Sequence, residues 1–148
     1  MQQPGALTMI RILSIICSVL VCGVVLAEAF QATPGGALYR DLKPGSGEPA
    51  VVGDVVSMHF IGWLEQDGRQ GREFFNTRSQ GTPVSFVVGT DWVIKGWNEG
   101  VTGMRVGGKR LLKLPPALAY GSRGVDDMVP ANASLILIIE LMTLEKRP

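Results

Sequence analysis

The stretch VIKGWNEGVTGM, residues 93–104, sets the tightest limit on what this chain can fold into. Val93, Trp97, Val101 and Met104 recur at helical spacing, with Ile94 beside them, so a helix here would be apolar along one face. The same stretch carries Gly96, Gly100 and Gly103, and each glycine costs about 1 kcal/mol against alanine inside a helix. Such a helix forms only where packing offsets its poor propensity. The rest of the chain reads as strands, so its partner has to be a sheet. That requires an α+β domain with one short helix, roughly Asp91 to Gly100, capped by Thr90 or Asp91 and held against several strands. Trp97 is then either ordinary core or the floor of a site.

The strands are marked by alternation and punctuated by turns. Ala37 to Lys43 is the first, closed by Pro44-Gly45-Ser46-Gly47. Val51 to Glu65 is the clearest, because Val56, Met58 and Phe60 alternate with Val55, Ser57 and His59. Gly62 marks a bend or bulge in it. Gln66 to Arg72 is a polar turn region before a short strand, Glu73 to Asn76. Val84 to Val88 is stopped by Gly89, and Lys109 to Leu114 is ended by Pro115-Pro116. A long loop from Ala117 to Asn132 precedes the last strand, Leu135 to Leu144. Five or six strands therefore surround one helix. Thr33-Pro34-Gly35-Gly36 places a flexible lead-in over residues 30–38.

The N-terminus reads as a targeting segment over residues 1–29. Arg11 precedes an apolar run from Ile12 to Leu26. That run is shorter than the roughly 20 residues of a membrane span and suits a signal-peptide core. Ala27-Glu28-Ala29 supplies an A-x-A cleavage site, and Val25 with Ala27 supplies a second. The alternative is an uncleaved anchor. Val21 is too large to make Cys22 a lipid-attachment site. Cys17 and Cys22 both lie in this segment, so the mature chain has no disulfide and no thiol chemistry. An exported protein is expected, with the bacterial periplasm as its location. The 14 Lys and Arg against 13 Asp and Glu leave no basic stripe for nucleic acid.

The usual catalytic groups are missing. His59 is the single histidine and reads as a strand residue, so neither a zinc site nor a Ser-His-Asp arrangement is supported. No phosphate-cradling loop is present, and Asp126-Asp127 is a bare acidic pair without further ligands at calcium spacing. What remains is aromatic: Phe60, Phe75, Phe86, Trp97 and Tyr120. Tyr120 stands apart because it lies in a loop, where a phenol can point into a cleft.

Three motifs then carry a resemblance: VIKGWNEGVTGMRVGGKR, PPALAYG and VPANASLILIIEL, supported by GDVVSMHFIGWLEQDG, FFNTR and PVSFVVG. In order and spacing they resemble the FKBP-type peptidyl-prolyl cis-trans isomerases, the rapamycin-binding immunophilins, from about Tyr39 to Glu145. The resemblance implies a strongly bent antiparallel sheet wrapped around one short helix, with the isomerase domain over residues 39–148. It also implies that Trp97 is the floor of a shallow proline pocket, with Phe75, Val93 and Ile94 around it. The Ile94 N–H and the Tyr120 hydroxyl would bind peptide carbonyls, and Val129 would sit on an overhanging loop.

Four positions depart from the family's usual residues. Phe60 stands for Tyr, Val84 and Leu137 for Phe, and Asn76 for Asp. These bear on rate and macrolide affinity rather than on fold. The implied partners are proline-containing polypeptides and macrolides such as rapamycin, with no cofactor, no metal and a monomeric state. The competing reading is a proline-binding module or holdase without catalysis.

Overall fold

The computed structural model describes residues 29–148, so the expected targeting segment, apart from Ala29, lies outside the described residues. The elements in chain order are β1 (Gln31–Ala32), β2 (Leu38–Lys43), β3 (Val55–Gln66), β4 (Arg69–Asn76), α1 (Thr77–Gln80), β5 (Val84–Val87), α2 (Lys95–Val101), β6 (Lys109–Leu114), a 3-10 turn (Pro116–Leu118) and β7 (Leu135–Glu145). Every strand pair is antiparallel, in the order β1-β2-β6-β7-β3-β4, with β5 also paired to β3. β3 is the spine. One edge carries β7 along most of its length, while the other carries β5 and then β4. Its alternation holds: Val56, Met58 and Phe60 are buried and their neighbours are half-buried.

The bent antiparallel sheet around a short helix is the architecture that the glycine-rich stretch requires. α2 lies against the inner face of β6. A Cβ at Gly96 would fall 2.4 Å from Leu114 Cδ1, and one at Gly100 would fall 2.4 Å from Leu112 Cδ2. The glycines therefore remove the side chains that would hold the helix off the sheet. Leu112, Leu114, Val101, Ile139 and Leu141 fill the space so closed, each 1% exposed or less. Burying a side chain of this size contributes about 1.5–3 kcal/mol, which offsets about 1 kcal/mol per glycine.

Several local expectations are corrected. α2 begins at Lys95, and its cap is Ile94, which makes no side-chain capping bond. Neither Thr90 nor Asp91 is the cap, because the Thr90 hydroxyl donates instead to Val87 O at 2.8 Å. β3 starts four residues later than expected. Asp54 accepts from Val51 N–H at 2.9 Å and holds that segment in a turn. Hydrogen bonding from Lys146, with help from the Val51 N–H, keeps the Asp54 carboxyl below the usual carboxylate range.

The polar region from Gln66 to Arg72 is mostly strand. Only Asp67 and Gly68 turn, both with positive φ (50° and 77°), between the paired residues Gln66 and Arg69. An Asp-Gly pair is suited to such a two-residue hairpin. The lead-in also contains β1, and the Thr33 hydroxyl and Gly35 N–H both donate to the Glu99 carboxylate on α2. With β1 the strands among the described residues number seven. Gly62 does mark a bulge: the β3–β4 register shifts between Gly62 and Trp63.

Candidate active site

A cavity of about 180 Å³ opens between α2, the β3–β4 pair and the loop after β6. Its floor is Trp97, on the first turn of α2 and 9% exposed. Phe60 of β3 meets the indole edge-on, with centroids 4.8 Å apart and planes at 64°. Phe75 of β4 stacks on Phe60 at 5.4 Å and 14°. Phe86 of β5 lies tilted against the indole at 5.9 Å. The aromatic pairs fix ring orientation beyond what area burial alone does. Val84 completes the wall.

The mouth is built by the loop from Pro116 to Ala133. Val125 N–H donates to Val129 O at 2.8 Å and Val129 N–H to Val125 O at 3.1 Å, a bridge that folds the loop back on itself. This turns Val125, Met128 and Val129 toward the cavity, alongside Tyr120. The Arg72 guanidinium of β4 donates to Met128 O at 2.9 Å and ties the loop to the far wall. Tyr120 is half-buried, and burial raises its phenol above the ordinary value. It therefore stays protonated near neutral pH and keeps a hydrogen to donate.

Of the residues singled out in the sequence, Phe60, Phe75, Val84, Trp97, Tyr120 and Val129 line this cavity together. Four others do not. Val93 lines an adjoining groove instead. Ile94 is the helix cap; its carbonyl accepts from Trp97 N–H at 3.0 Å, and among the described residues its own N–H meets no acceptor. Leu137 pairs with Gly62 and Leu112 in the middle of the sheet and is 1% exposed, so it is core beneath the wall. Asn76 caps α1: its Oδ1 accepts from Arg78 N–H at 3.1 Å and Ser79 N–H at 3.4 Å. Its oxygen is thus committed to the backbone rather than turned to the cavity.

Three lining residues were missed: Phe74, Val125 and Met128. Strict alternation would send Phe74 and Phe75 to opposite faces. The bulge opposes Gly62 to Phe75 and Trp63 to Glu73, leaving Phe74 unpaired between them and free to turn to the same side. A Cβ on Gly62 would fall 2.5 Å from the Phe74 ring, so the glycine makes room for that turn. Adjacent Phe residues opposite a strand glycine were the available signal.

Among the described residues Tyr120 is the single ionisable side chain on the cavity wall. His59, next to Phe60, points to the other face, where Nδ1 lies 2.9 Å from the buried Thr77 hydroxyl. On that face Glu140 pairs with Arg78 and Lys109; burial opposes its ionisation, but the Arg78 hydrogen bond and the two cations outweigh it and lower its pKa. Among the described residues no group of three or more His, Cys, Asp or Glu is placed to hold a metal. The cavity can hold an apolar ring away from water and donate a hydrogen bond. It offers no nucleophile and no charged acid or base.

The family model described as FKBP-type peptidyl-prolyl cis-trans isomerase matches residues 46–142. The chain is similar to an FK506-binding protein of Neisseria meningitidis serogroup B, with 39% identity over 108 residues, 73% of this chain and 95% of the relative. Among solved structures it is similar to AtFKBP13, with a TM-score of 0.70 and 34% identity over 78% of this chain and 98% of that one. It is also similar to FkpA from Escherichia coli, with a TM-score of 0.71 and 35% identity over 82% of this chain. In that case it spans 54% of the longer chain.

Proposed function

The chain belongs to the FKBP-type peptidyl-prolyl cis-trans isomerases, and from that premise we propose that the Trp97 cavity is where it turns X-Pro bonds of exported polypeptides. The observation that carries this is a cavity walled by aromatic and aliphatic groups, with one protonated phenol at its mouth. Amide resonance sets a rotation barrier of about 18–20 kcal/mol. The two X-Pro isomers differ by only about 1 kcal/mol, so both are populated and the barrier alone limits exchange. Rotation breaks no covalent bond. The protein needs only to bind the twisted amide better than the planar one.

Each lining group has a part in this reading. Trp97, Phe60 and Phe75 hold the proline ring. Water is kept from the carbonyl, which weakens the polar planar form that water would favour. The Tyr120 hydroxyl and the Ile94 N–H donate to peptide carbonyls flanking the turning bond. Catalysis then rests on Trp97, Phe75 and Tyr120, and Asn76 contributes by ordering the α1 turn beside Phe75. Phe60, Val84, Val93, Ile94 and Val129 make up the binding surface. The Neisseria relative is named for binding FK506; a macrolide such as rapamycin would occupy the same cavity. The apolar run from Ile12 to Leu26 with its A-x-A site supports export to the periplasm, and N-terminal sequencing of exported protein should find a start near Glu28 or Phe30.

The test is a proline tetrapeptide isomerisation assay on the wild type and Tyr120→Phe. The wild type accelerates exchange, and Tyr120→Phe lowers kcat/KM by about tenfold, or 1.4 kcal/mol, with an unchanged melting midpoint. Binding of the peptide without acceleration would replace this reading by a proline-binding module.

A further inference from the structure

A second opening of about 490 Å³ adjoins the first and shares Val84 and Trp97 with it. It runs along β5 and under the segment before α2, lined by Val84, Phe86, Val87, Trp92, Val93 and Trp97 among others, with no charged side chain among the described residues. Trp92 is 92% exposed. A single exposed apolar residue needs no explanation. Here, however, the indole stands on the wall of a groove that continues an active site.

The β5 edge adds an independent observation. Val88 N–H donates to Asp54 O at 2.9 Å, which sets the antiparallel alternation between β5 and β3. Val84 and Phe86 therefore direct their backbone groups to β3, while Ser85 and Val87 direct theirs to the opposite edge. Among the described residues no strand covers that edge. The Val87 carbonyl is taken by the Thr90 N–H and hydroxyl. Among the described residues the Ser85 N–H and C=O and the Val87 N–H meet no protein partner, and Ser85 is exposed. An open edge beside an apolar groove takes an extended chain as an added strand: main-chain bonds give affinity and alternate side chains give selectivity.

We propose that this groove is a subsite for the extended polypeptide flanking the target proline, with Ser85 and Val87 pairing its backbone and Trp92 selecting an aromatic or large aliphatic side chain. It rests on the isomerase reading of the Trp97 cavity. The shared wall of Val84 and Trp97 makes the occupant continuous with the bound proline. The uncharged lining fits the apolar stretches that an unfolded chain exposes. The protein would then prefer unfolded clients with such a residue near the proline over isolated proline turns.

The test compares kcat/KM for a proline tetrapeptide with that for peptides of about ten residues, long enough to cover both openings at about 3.3 Å per residue. The longer peptides carry Phe, or Ser in its place, at successive positions on each side of the proline. The wild type should prefer one Phe placement over its Ser counterpart by about five- to tenfold. Trp92→Ala, at a position too exposed to threaten folding, should reduce that preference to within about twofold. Ser85→Pro, which removes an outward N–H and no hydrogen bond of the β3–β5 ladder, should lower the advantage of long over short peptides. A wild type without any Phe preference, or one that survives Trp92→Ala, overturns the subsite while leaving the isomerase in place. Failure to accelerate any peptide overturns the isomerase reading and the subsite with it. A concentration-dependent dimer in sedimentation that Trp92→Ala abolishes assigns the groove to a second copy and overturns the proposal.

Discussion

The two ends of α2 are finished in opposite ways. At its C-terminal end the buried Arg110 guanidinium donates to Gly100 O at 2.9 Å and Thr102 O at 3.2 Å. It also grips Asp41 of β2 at 2.6 and 3.0 Å and lies over the Tyr39 ring at 4.2 Å. The carbonyls that a helix end leaves unpaired are met, by a cation at the end where the dipole favours one. At the N-terminal end Ile94 offers no side-chain cap, and the Trp97 Nε1–H, though buried, has no acceptor among the described residues. A buried donor left unmet costs about 1–3 kcal/mol. That donor stands next to the cavity, and the helix is made fast at the other end. The difference teaches a division of labour: one end holds the helix, and the other is free to be shaped for a ligand.

Substitutions at the two ends should separate these roles. Trp97→Ala, the largest break, removes the floor. Stability should fall by about 3–5 kcal/mol, and kcat/KM on the folded fraction by at least about a hundredfold, or 2.7 kcal/mol. Urea unfolding and the tetrapeptide assay read the two losses separately. Arg110→Met breaks the other end. It should cost about 2–4 kcal/mol by orphaning two carbonyls and unpairing Asp41, toward the lower end because Asp41 is about a third exposed and can rehydrate. Proline-peptide affinity of the folded protein should stay within about twofold. A loss of affinity as large as that of Trp97→Ala would erase the distinction.

Gly100→Ala, in the middle, sharpens it. Propensity alone says alanine should stabilise the helix by about 1 kcal/mol. The crowding against Leu112 reverses the sign, and a loss of about 1–3 kcal/mol is expected in thermal unfolding. Asn76→Asp is the smallest change and serves as a reference outside α2. Both residues cap α1 comparably, so stability should move by only a few tenths of a kcal/mol. Because the Asn76 oxygen is used as a cap, kcat/KM should change less than about twofold in the same assay. A several-fold gain would show that the position acts on the turning amide after all.

Much of the site was legible because it sits where periodicity and punctuation are strong. Trp97 lies on the apolar face of a glycine-rich helix, Phe60 is on the alternating strand, and Tyr120 follows a double proline. Ordered motifs joined these into one resemblance. The misses share another character. Phe74 turns inward because a bulge breaks alternation. Val125 and Met128 face the cavity because a bridge folds their loop. Leu137 recedes because it lies on the inner face of a strand flanked by β3 and β6. Asn76 is withdrawn because helix α1, whose signal is a single turn, claims its oxygen.

The sequence by itself determined the class of fold and the chemistry that is possible. Period-two and period-3.6 patterns fix which faces are apolar, and a single histidine with both cysteines in the N-terminal segment leaves the aromatic residues as the candidate site. The tertiary structure alone decided how near α2 lies to β6, which cap α2 uses, which side chains share the cavity, and that Arg110 secures the helix from a strand. Those outcomes depend on contacts between residues far apart in sequence, such as Asp41 with Arg110 and Thr33 with Glu99. No local pattern encodes them, because their energies arise only when the sheet has closed and the groups have left water.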